Sequence, residues 1–356
     1  MKRAVFFLFV LTACTMYAAM PAEQTLTHVS TPFQLGFDEK HSLYPKEYGV
    51  HGLRLNSFFV ENRFMYGLDI GFWNVSGDAG GLQIAVYRNE THNFGGIQLA
   101  LWNAETEDVR GLQFATVTTD AGDLYGLQLT GLLGKARAVH GIQIGGLSAV
   151  SESENDDART SGFQAGLYEA RAENLTGIQL GGIFSETEWN ANGLQAAVLF
   201  AESRYTRGIQ LGCLTATSQE ASGIQIGGLM ARSEINAHGI VQAGLVLARA
   251  GEMEGGLQLS GIASNVIGES RGVQISVIST MAASVHGTEI AGIWNYAFED
   301  VNGAQAALVY NHARSVHGVQ IGLFNYCERL DGLQIGLVNI VRESSFPAAP
   351  LLRFDF

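Results

Sequence analysis

Histidine is the residue type whose spacing in this sequence first suggests chemistry. Five histidines stand immediately before a recurring glycine: His51, His140, His238, His286 and His317. Neutral imidazole is a common zinc ligand, and two imidazoles on adjacent strands could share one ion. Even His286 and His317 are two repeats apart, or about 10 Å at the usual strand spacing, which is too far. We therefore predict no metal site and no catalytic residue.

Two further groups of potential metal ligands lack the residue pattern of a known metal site. His312 and His317 have a spacing that suits some zinc sites, but no cysteine or carboxylate pair completes the set. An acidic insertion at residues 151–157 offers oxygen ligands, yet it lacks the Asp-x-Asp-x-Asp-Gly order of a calcium loop. We interpret it as a solvated surface loop. Its carboxylates are Glu152, Glu154, Asp156 and Asp157.

Nucleotide and nucleic-acid chemistry are not expected either. The glycines recur singly and do not form a G-x-G-x-x-G phosphate loop, and nothing resembles a nucleophile elbow. The formal net charge is −13, with 34 acidic residues against 21 Lys and Arg. Binding to nucleic acid needs clustered basic residues. The sequence predicts no enzyme, no cofactor and no nucleic-acid partner.

The first 22 residues have the form of an export signal. Lys2 and Arg3 precede an apolar run over residues 4–11, which is too short to span a bilayer permanently. The Leu-Thr-Ala-Cys sequence ending at Cys14 resembles a lipobox, which would make Cys14 an acylated membrane anchor. An ordinary leader, cleaved farther along, is the other open interpretation. Both predict export to the cell envelope: the outer membrane, the cell surface or the periplasm.

A short motif built on Gly-Leu-Gln-Ile fills most of the remaining chain. Nineteen copies follow one another at spacings of 14 to 17 residues, apart from one step of 21 at the acidic insertion. The copies begin at Gly52, Gly67, Gly81, Gly96, Gly111, Gly126, Gly141, Gly162, Gly177, Gly193, Gly208, Gly223, Gly239, Gly256, Gly272, Gly287, Gly303, Gly318 and Gly332. A fixed period of this kind indicates a repeat architecture.

Each copy alternates apolar and small or polar residues, which is typical of a strand with one buried face. In the last copy, Leu333 and Ile335 point to one side, and Gln334 and Gly336 to the other. We predict that leucine and isoleucine stack inside. Glutamines would then bond to one another outside, and recurrent asparagines would cap turns.

Two all-β architectures fit a strand every fifteen residues. We favour a parallel β-solenoid of about nineteen 15-residue coils, because the odd and even copies do not differ as they should in a meander. The alternative is an antiparallel β-meander closed into an outer-membrane-type barrel. Its main support is the alternating tail that ends at Phe356, which resembles the assembly signal of such barrels.

The period also divides the chain into segments. We predict an export signal over residues 1–22, an N-terminal cap region over 23–51, a repeat domain over 52–345 and a C-terminal capping strand over 346–356. Cys213 and Cys327 would lie about seven coils apart, roughly 35 Å, beyond disulfide reach. Both are predicted to be free thiols.

The motif resembles a known group of proteins. The Gly-Leu-Gln-Ile-Gly-Leu-Val-Asn unit at 332–339, the opening at 66–74 and the Pro-Leu-Leu-Arg-Phe-Asp-Phe ending are similar to bacterial GLQIG-type surface-repeat proteins of the leptospiral type. Some members of that family are classed as lipoproteins. The resemblance implies an envelope location and supplies no activity. The period also resembles, more loosely, the β-roll heads of trimeric adhesins.

Together these patterns favour a non-enzymatic cell-envelope protein. Its extended repeat face would be structural or would bind an unknown macromolecular or surface ligand. The alternative function is an outer-membrane barrel, either a pore or a porin-like channel. Membrane association would come from a lipid anchor at Cys14 in the first case and from the barrel itself in the second.

Overall fold

The computed structural model describes residues 29–153 and 158–355. The chain divides into two compact units, Met1–Gly177 and Ile178–Phe356, and each is considered by itself. Several predictions lie outside the described residues: the export signal over 1–22, acylation of Cys14, the acidic residues Glu154, Asp156 and Asp157, and the role of Phe356.

All regular secondary structure in the described residues is β-strand. The first unit holds β1 Ser30–Gly36, β2 Gly49–Asn56, β3 Phe59–Ala100, β4 Asn103–Ala115, β5 Thr118–Thr130, β6 Leu133–Gly145, β7 Ser148–Ser151, β8 Arg159–Gly166 and β9 Glu169–Ala172. β10, Asn174–Gly181, begins in the first unit and ends in the second.

The second unit contains shorter strands towards its C-terminal end. They are β11 Phe184–Ala197, β12 Phe200–Gly212, β13 Thr215–Gly227, β14 Met230–Gly244, β15 Leu247–Ser260, β16 Ala263–Val266, β17 Glu269–Ser276, β18 Ser279–Ala282, β19 Ser284–Ala291, β20 Trp294–Ala297, β21 Asp300–Ala307, β22 Tyr310–His312, β23 Ser315–Ile321, β24 Phe324–Cys327, β25 Arg329–Val341 and β26 Ala348–Asp355.

Strands pair in parallel with the equivalent strand of the next repeat. In the first unit Gly111 pairs with Gly126 and Gln113 with Gln128; in the second, β12 and β13 repeat this register. Such pairing confirms a parallel β-solenoid. An antiparallel meander would reverse the direction of neighbouring strands, so the barrel alternative, on which the pore interpretation rested, is wrong.

One regular coil shows how the chain turns. We number coil positions from the recurring glycine, so that Gly126 is position 1. Positions 3, 5, 9, 11 and 14 of the regular coils are buried, and bends follow the first strand at positions 6 and 7. Inward positions alternate at 3 and 5 and again at 9 and 11, as a period of two requires, and two outward residues separate position 11 from position 14. In this coil they are Gln128, Thr130, Gly134, Ala136 and Val139.

Position 1 requires glycine because of its backbone conformation and because of the close approach of the preceding coil. Gly126 has φ 143°, a conformation that favours glycine. A Cβ at Gly126 would lie 2.1 Å from the carbonyl oxygen of Gly111 in the preceding coil. At position 5, a Cβ on Gly145 would lie 1.9 Å from the carbonyl oxygen of Ser148 in the same coil. The interior beside the turn therefore accepts only small residues.

A column of glutamines runs through the interior of the first unit. Each side chain is buried, and its amide nitrogen donates to the amide oxygen of the glutamine one coil earlier. The bonds run from Gln98 to Gln83 (3.1 Å), Gln113 to Gln98 (3.0 Å), Gln128 to Gln113 (2.9 Å), Gln143 to Gln128 (2.8 Å) and Gln164 to Gln143 (2.8 Å). We call this the glutamine column. Successive bonds in such a chain polarise and strengthen one another.

The second unit repeats the glutamine column and then interrupts it. Bonds run from Gln195 to Gln179 (3.2 Å), Gln210 to Gln195 (3.0 Å), Gln225 to Gln210 (2.9 Å), Gln242 to Gln225 (2.8 Å) and Gln258 to Gln242 (2.8 Å). The column resumes from Gln305 to Glu289 (2.8 Å), Gln320 to Gln305 (2.8 Å) and Gln334 to Gln320 (2.7 Å). Between these two runs, the Gln274 amide has no hydrogen-bond partner.

Our prediction that leucine and isoleucine stack inside was wrong. Gln143 is fully buried, whereas its neighbours Ile142 and Ile144 are 42% and 38% exposed. The coil is narrow, and a flat amide can bond to the coil above, to the coil below and across to the backbone, as Gln143 does with Val150 O at 3.2 Å. Branched side chains are accommodated on the outside.

The recurrent asparagines also form buried columns, whereas we had predicted turn caps. Asn74 in the first unit donates to Asn89 Oδ1 (2.9 Å) and to Ile84 O (3.1 Å). In the second unit Asn325 donates to Asn339 Oδ1 (2.8 Å) and Ile335 O (2.9 Å). Each asparagine thereby braces the turn of the following coil, because the carbonyl it binds precedes that turn.

The apolar interior lies two residues before the recurring glycine. At this position Val109, Leu124 and Val139 are buried and cluster with Ala121 and Ala136 in the first unit. The second unit has an equivalent cluster around Val285, Val301 and Val316. The core therefore combines one narrow apolar column with polar columns whose hydrogen bonds are internal, which is the condition for burying amides.

Each end of the described chain carries a distinct closure. Gln34 in β1 pairs with Arg54 in β2, and both Gln34 amide atoms bond to the Tyr44 backbone. Arg54 and Asp69 then form a fully buried ion pair (Nε–Oδ1 2.7 Å), to which Gln83 donates (3.1 Å). At the other end, β26 pairs antiparallel with β25 and covers its edge.

Candidate interaction surface

Within each unit, the outward side of the Gly-Leu-Gln-Ile strand forms an apolar surface. Coil positions 2 and 4 project from the strand, and positions 6 and 7 form the adjoining turn. We call these four positions together the apolar face. In the first unit its exposed members are Phe58, Leu68, Ile70, Val86, Tyr87, Leu101, Trp102, Phe114, Leu132, Ile142, Ile144, Leu147, Leu167 and Tyr168.

Side chains of the apolar face stack on their equivalents in neighbouring coils. Phe58, Phe72 and Tyr87 form one such stack in the first unit, with ring centroids 5.5 and 5.6 Å apart and interplanar angles of 5° and 12°. Parallel register brings equivalent positions side by side, so each column is ordered before any partner arrives.

The second unit continues the same pattern through its own coils. Leu245 and Leu308 project furthest, being 72% and 74% exposed. Other exposed members are Ile178, Leu180, Val198, Ile209, Ile224, Ile226, Leu229, Val241, Val246, Ile262, Val277, Ile290, Ile293, Val309, Ile321, Leu323, Ile335 and Leu337. Cys213 also lies on this face, at position 6, and is exposed.

The apolar face carries no formal charge in any of the nineteen copies, since positions 2, 4, 6 and 7 lack Asp, Glu, Lys and Arg throughout. Charges are concentrated on the other sides of the coil. There they form exposed ion pairs such as Arg137 with Asp123 (2.7 Å) and Arg342 with Glu328 (3.0 Å). Large uncharged patches on a protein surface commonly mark interaction sites.

The five histidines that precede a glycine occupy one repeated slot but have different partners. His51 stacks on Tyr66, and His140 stacks on Tyr125. His238 pairs with Glu254 (2.9 Å) and His286 with Glu269 (2.7 Å). His317 is exposed, and Asn302 stands in the coil between it and His286.

His312 lies within a stack of aromatic rings and, unlike His317, is only partly exposed. Its ring lies 4.2 Å from Tyr296 and 5.0 Å from Tyr326, with interplanar angles of 1° and 14°. Burial lowers the pKa of His312. Over residues 29–153 and 158–355, no three His, Cys, Asp or Glu side chains are grouped as a metal site requires.

The two cysteines of the repeat region are free, as predicted, and differ in environment. Cys213 is exposed, whereas Cys327 is buried and accepts a hydrogen bond from Gln334 Nε2 (3.3 Å). Burial raises the pKa of the Cys327 thiol to about 12. Of these two thiols, only that of Cys213 lies at the surface, where a reagent can reach it.

A polar groove in the first unit borders the acidic insertion. Asp120, Lys135, Arg137 and Glu152 line it, so both signs of charge are present. Burial, and then the nearby Glu105 carboxylate, raise the pKa of Asp120. At the base of the insertion the Glu173 carboxylate accepts from the Ser153 and Ala158 N–H groups (2.5 and 2.7 Å).

Sequence reasoning missed a buried carboxyl in the second unit. Glu289 occupies the position of a glutamine in the column, and burial raises its pKa to about 7. Its Oε1 atom has no hydrogen-bond partner, nor has Gln258 Oε1. The signal was present in the sequence, because Glu289 stands in a slot that glutamine fills in most copies.

The residue at position 11 also differs between coils of the second unit. In the coils that begin at Gly193, Gly208 and Gly223 it is a serine, and Ser218 Oγ accepts from Gln225 Nε2 (3.2 Å). Around the interruption the position holds Ala250, Val266 and Ala282. The missing hydroxyl does not by itself explain the interruption, because Ala121 and Ala136 hold the same position in the first unit, where the column is continuous.

Comparison with models of known protein families, with curated proteins and with solved structures gave no match. In the part of the chain that the structure describes, no helix has the length and hydropathy needed to cross a membrane.

Proposed function

We propose that this chain is a non-enzymatic protein of the cell envelope whose apolar face binds a macromolecular partner. One observation carries the proposal: an uncharged face, with exposed leucine and isoleucine in successive coils, recurs in both units. Leaving so much apolar surface in water is unfavourable, and its burial drives most protein association. A regular repeat surface suits a large, extended ligand.

The envelope location rests on the sequence. Lys2 and Arg3 followed by an apolar run are typical of an export signal, and Cys14 would serve as a lipid anchor if the lipobox is used. The resemblance to GLQIG-type surface-repeat proteins favours the same location. Fractionation of cells that produce the chain tests this part, with recovery in the envelope or periplasmic fraction expected.

Site-specific photo-crosslinking in those cells tests the binding face. A photoreactive amino acid would replace Leu229, which is on the apolar face, and separately Ile235, which is exposed outside it. We expect an adduct of higher mass from position 229 and none from position 235. Equal adducts from both positions, or none from either, would contradict the proposal.

A further inference from the structure

The apolar face is ridged at the spacing of the strands. In the second unit Ile209 pairs with Ile224 and Leu211 with Ile226, so positions 2 and 4 form two parallel columns. Neighbouring strands lie about 4.8 Å apart, which sets the distance between one ridge and the next along each column. A partner that fills the grooves over many coils must have ridges at the same spacing.

Another β-solenoid of the same pitch meets this requirement, and every copy of this chain presents one. Two sheets pack face to face when the side chains of their inner faces interdigitate, at about 10 Å separation. We infer that the apolar face of the second unit is covered by the same face of a second copy of this chain, related by a twofold axis. This inference rests on the proposed function and names its partner.

The size of the face is sufficient for a stable dimer. Ten coils begin in the second unit, from Gly193 to Gly332. With about 4.8 Å per coil and roughly four residues of 3.3 Å across the strand, they present on the order of 600 Å² on each partner before the turns are added. A standard-size interface buries about 1,200 to 2,000 Å² in total, or about 600 to 1,000 Å² per partner, so the strand surface alone reaches the lower end of that range.

Charge argues for a protein partner over a lipid surface. The chain has a formal net charge of −13. Proteins held on anionic membranes carry clustered Lys and Arg beside their apolar surface. Beside this face, at position 15, the second unit has residues of mixed character, including Glu254, Arg271 and Asp331. An anionic bilayer would repel such a chain, whereas an uncharged face packs against its own copy without an electrostatic cost.

Sedimentation equilibrium of the full chain, in reducing buffer to keep Cys213 from forming disulfides, tests the inference. The Ile226→Lys substitution places a charge on the apolar face, twice in a symmetric dimer. Ile235→Lys is the matched control, because Ile235 is 49% exposed against 42% for Ile226 but lies outside the face. Circular dichroism verifies that both variants keep their β-structure.

We expect the unmodified chain to dimerise, Ile226→Lys to weaken the dimer by roughly tenfold or more, and Ile235→Lys to leave it unchanged. A chain that stays monomeric at about 100 μM, a concentration well above the dissociation constants of ordinary specific complexes, overturns the inference.

Flotation with neutral phosphatidylcholine vesicles then shows whether the apolar face binds lipid in place of a second copy. A monomer that binds vesicles through Ile226 overturns the second copy as partner but retains the binding face. Equal association of all three chains, on the other hand, overturns both.

Discussion

The two sides of the Gly-Leu-Gln-Ile strand reverse the usual distribution of polarity. Gln128 is buried and bonds to Gln113, whereas Leu129 beside it is only partly covered. The glutamine column is stabilised by directional bonds within a narrow coil, and the apolar face is stabilised on folding only by stacking on its neighbours. Burial in this fold is therefore set by the width of the coil and by hydrogen bonding, before hydropathy.

The largest expected effect comes from the charge pair that begins the buried column. Asp69→Ala leaves the fully buried Arg54 without its carboxylate, and we expect unfolding free energy to fall by about 3 to 5 kcal/mol. Asp123→Ala, which breaks the exposed pair with Arg137, should cost about 0 to 1 kcal/mol. Urea unfolding compares the two. Similar losses from both would remove the distinction between the inner and outer sides.

Exchanging residue types across one strand tests the comparison directly. Gln128→Leu leaves Gln113 Oε1 without its donor, whereas Gln143 Nε2 loses one bond and keeps that to Val150 O. At about 1 to 3 kcal/mol for the orphaned group and about 1 kcal/mol for the lost bond, we expect a loss of roughly 2 to 4 kcal/mol. Leu129→Gln, on the outer side, should change stability by less than about 0.5 kcal/mol. Guanidinium unfolding measures both, and a larger loss from Leu129→Gln would contradict the assignment of the faces.

Glu289 predicts a pH dependence of stability. Its pKa is about 7 in the folded chain against 4.5 for an ordinary glutamate, so the folded state binds the extra proton between these values. Stability is therefore highest at acidic pH, falls as pH rises from about 4.5 to about 7, and is lower by about 3 kcal/mol above that.

Glu289→Gln supplies the control for that titration, because it restores the residue found at this position in most coils. Between about pH 4.5 and pH 7 its curve should lack the fall of about 3 kcal/mol that Glu289 causes, and its stability should exceed that of the unmodified chain at pH 8. Thermal unfolding at a series of pH values gives both curves. If the two curves of stability against pH run parallel, a group other than Glu289 causes the pH dependence.

The smallest effect is expected from the aromatic stack on the outer side. His312→Ala removes ring contacts with Tyr296 and Tyr326, which we expect to lower unfolding free energy by about 1 kcal/mol. Val319→Ala, a partly covered position on the apolar face of the following coil, provides a comparison with no ring contact. Chemical denaturation resolves the difference. A loss from His312→Ala as large as that from Gln128→Leu would mean that outer stacking contributes as much as the buried column.

The period of nineteen glycines predicted a repeated strand, and the likeness of odd and even copies favoured parallel pairing over a meander. It could not predict which side of the strand is buried, since alternation is symmetric until the width of the interior is known. The small residues at position 5, such as Gly145 and Gly212, share the parity of glutamine and were the available signal. Their Cβ atoms would collide with backbone on the inside of the turn.

The candidate surface followed from the face assignment and could not be identified before it. If leucine is assigned to the interior, the same residues belong to the core and the exposed surface becomes a row of amides. Glu289 was overlooked for a related reason. A glutamate in an exposed row would keep an ordinary pKa, whereas burial in the column raises the pKa of Glu289 to about 7.

Thiol accessibility at two adjacent positions tests the central assignment most directly. Gln225→Cys and Ile226→Cys would each be made in a chain with Cys14→Ser and Cys213→Ser, and labelled with a maleimide at a protein concentration low enough to disperse copies. We predict rapid labelling at position 226 and at least roughly 100-fold slower labelling at position 225 until the chain unfolds. Rapid labelling at 225 with protection at 226 would contradict it.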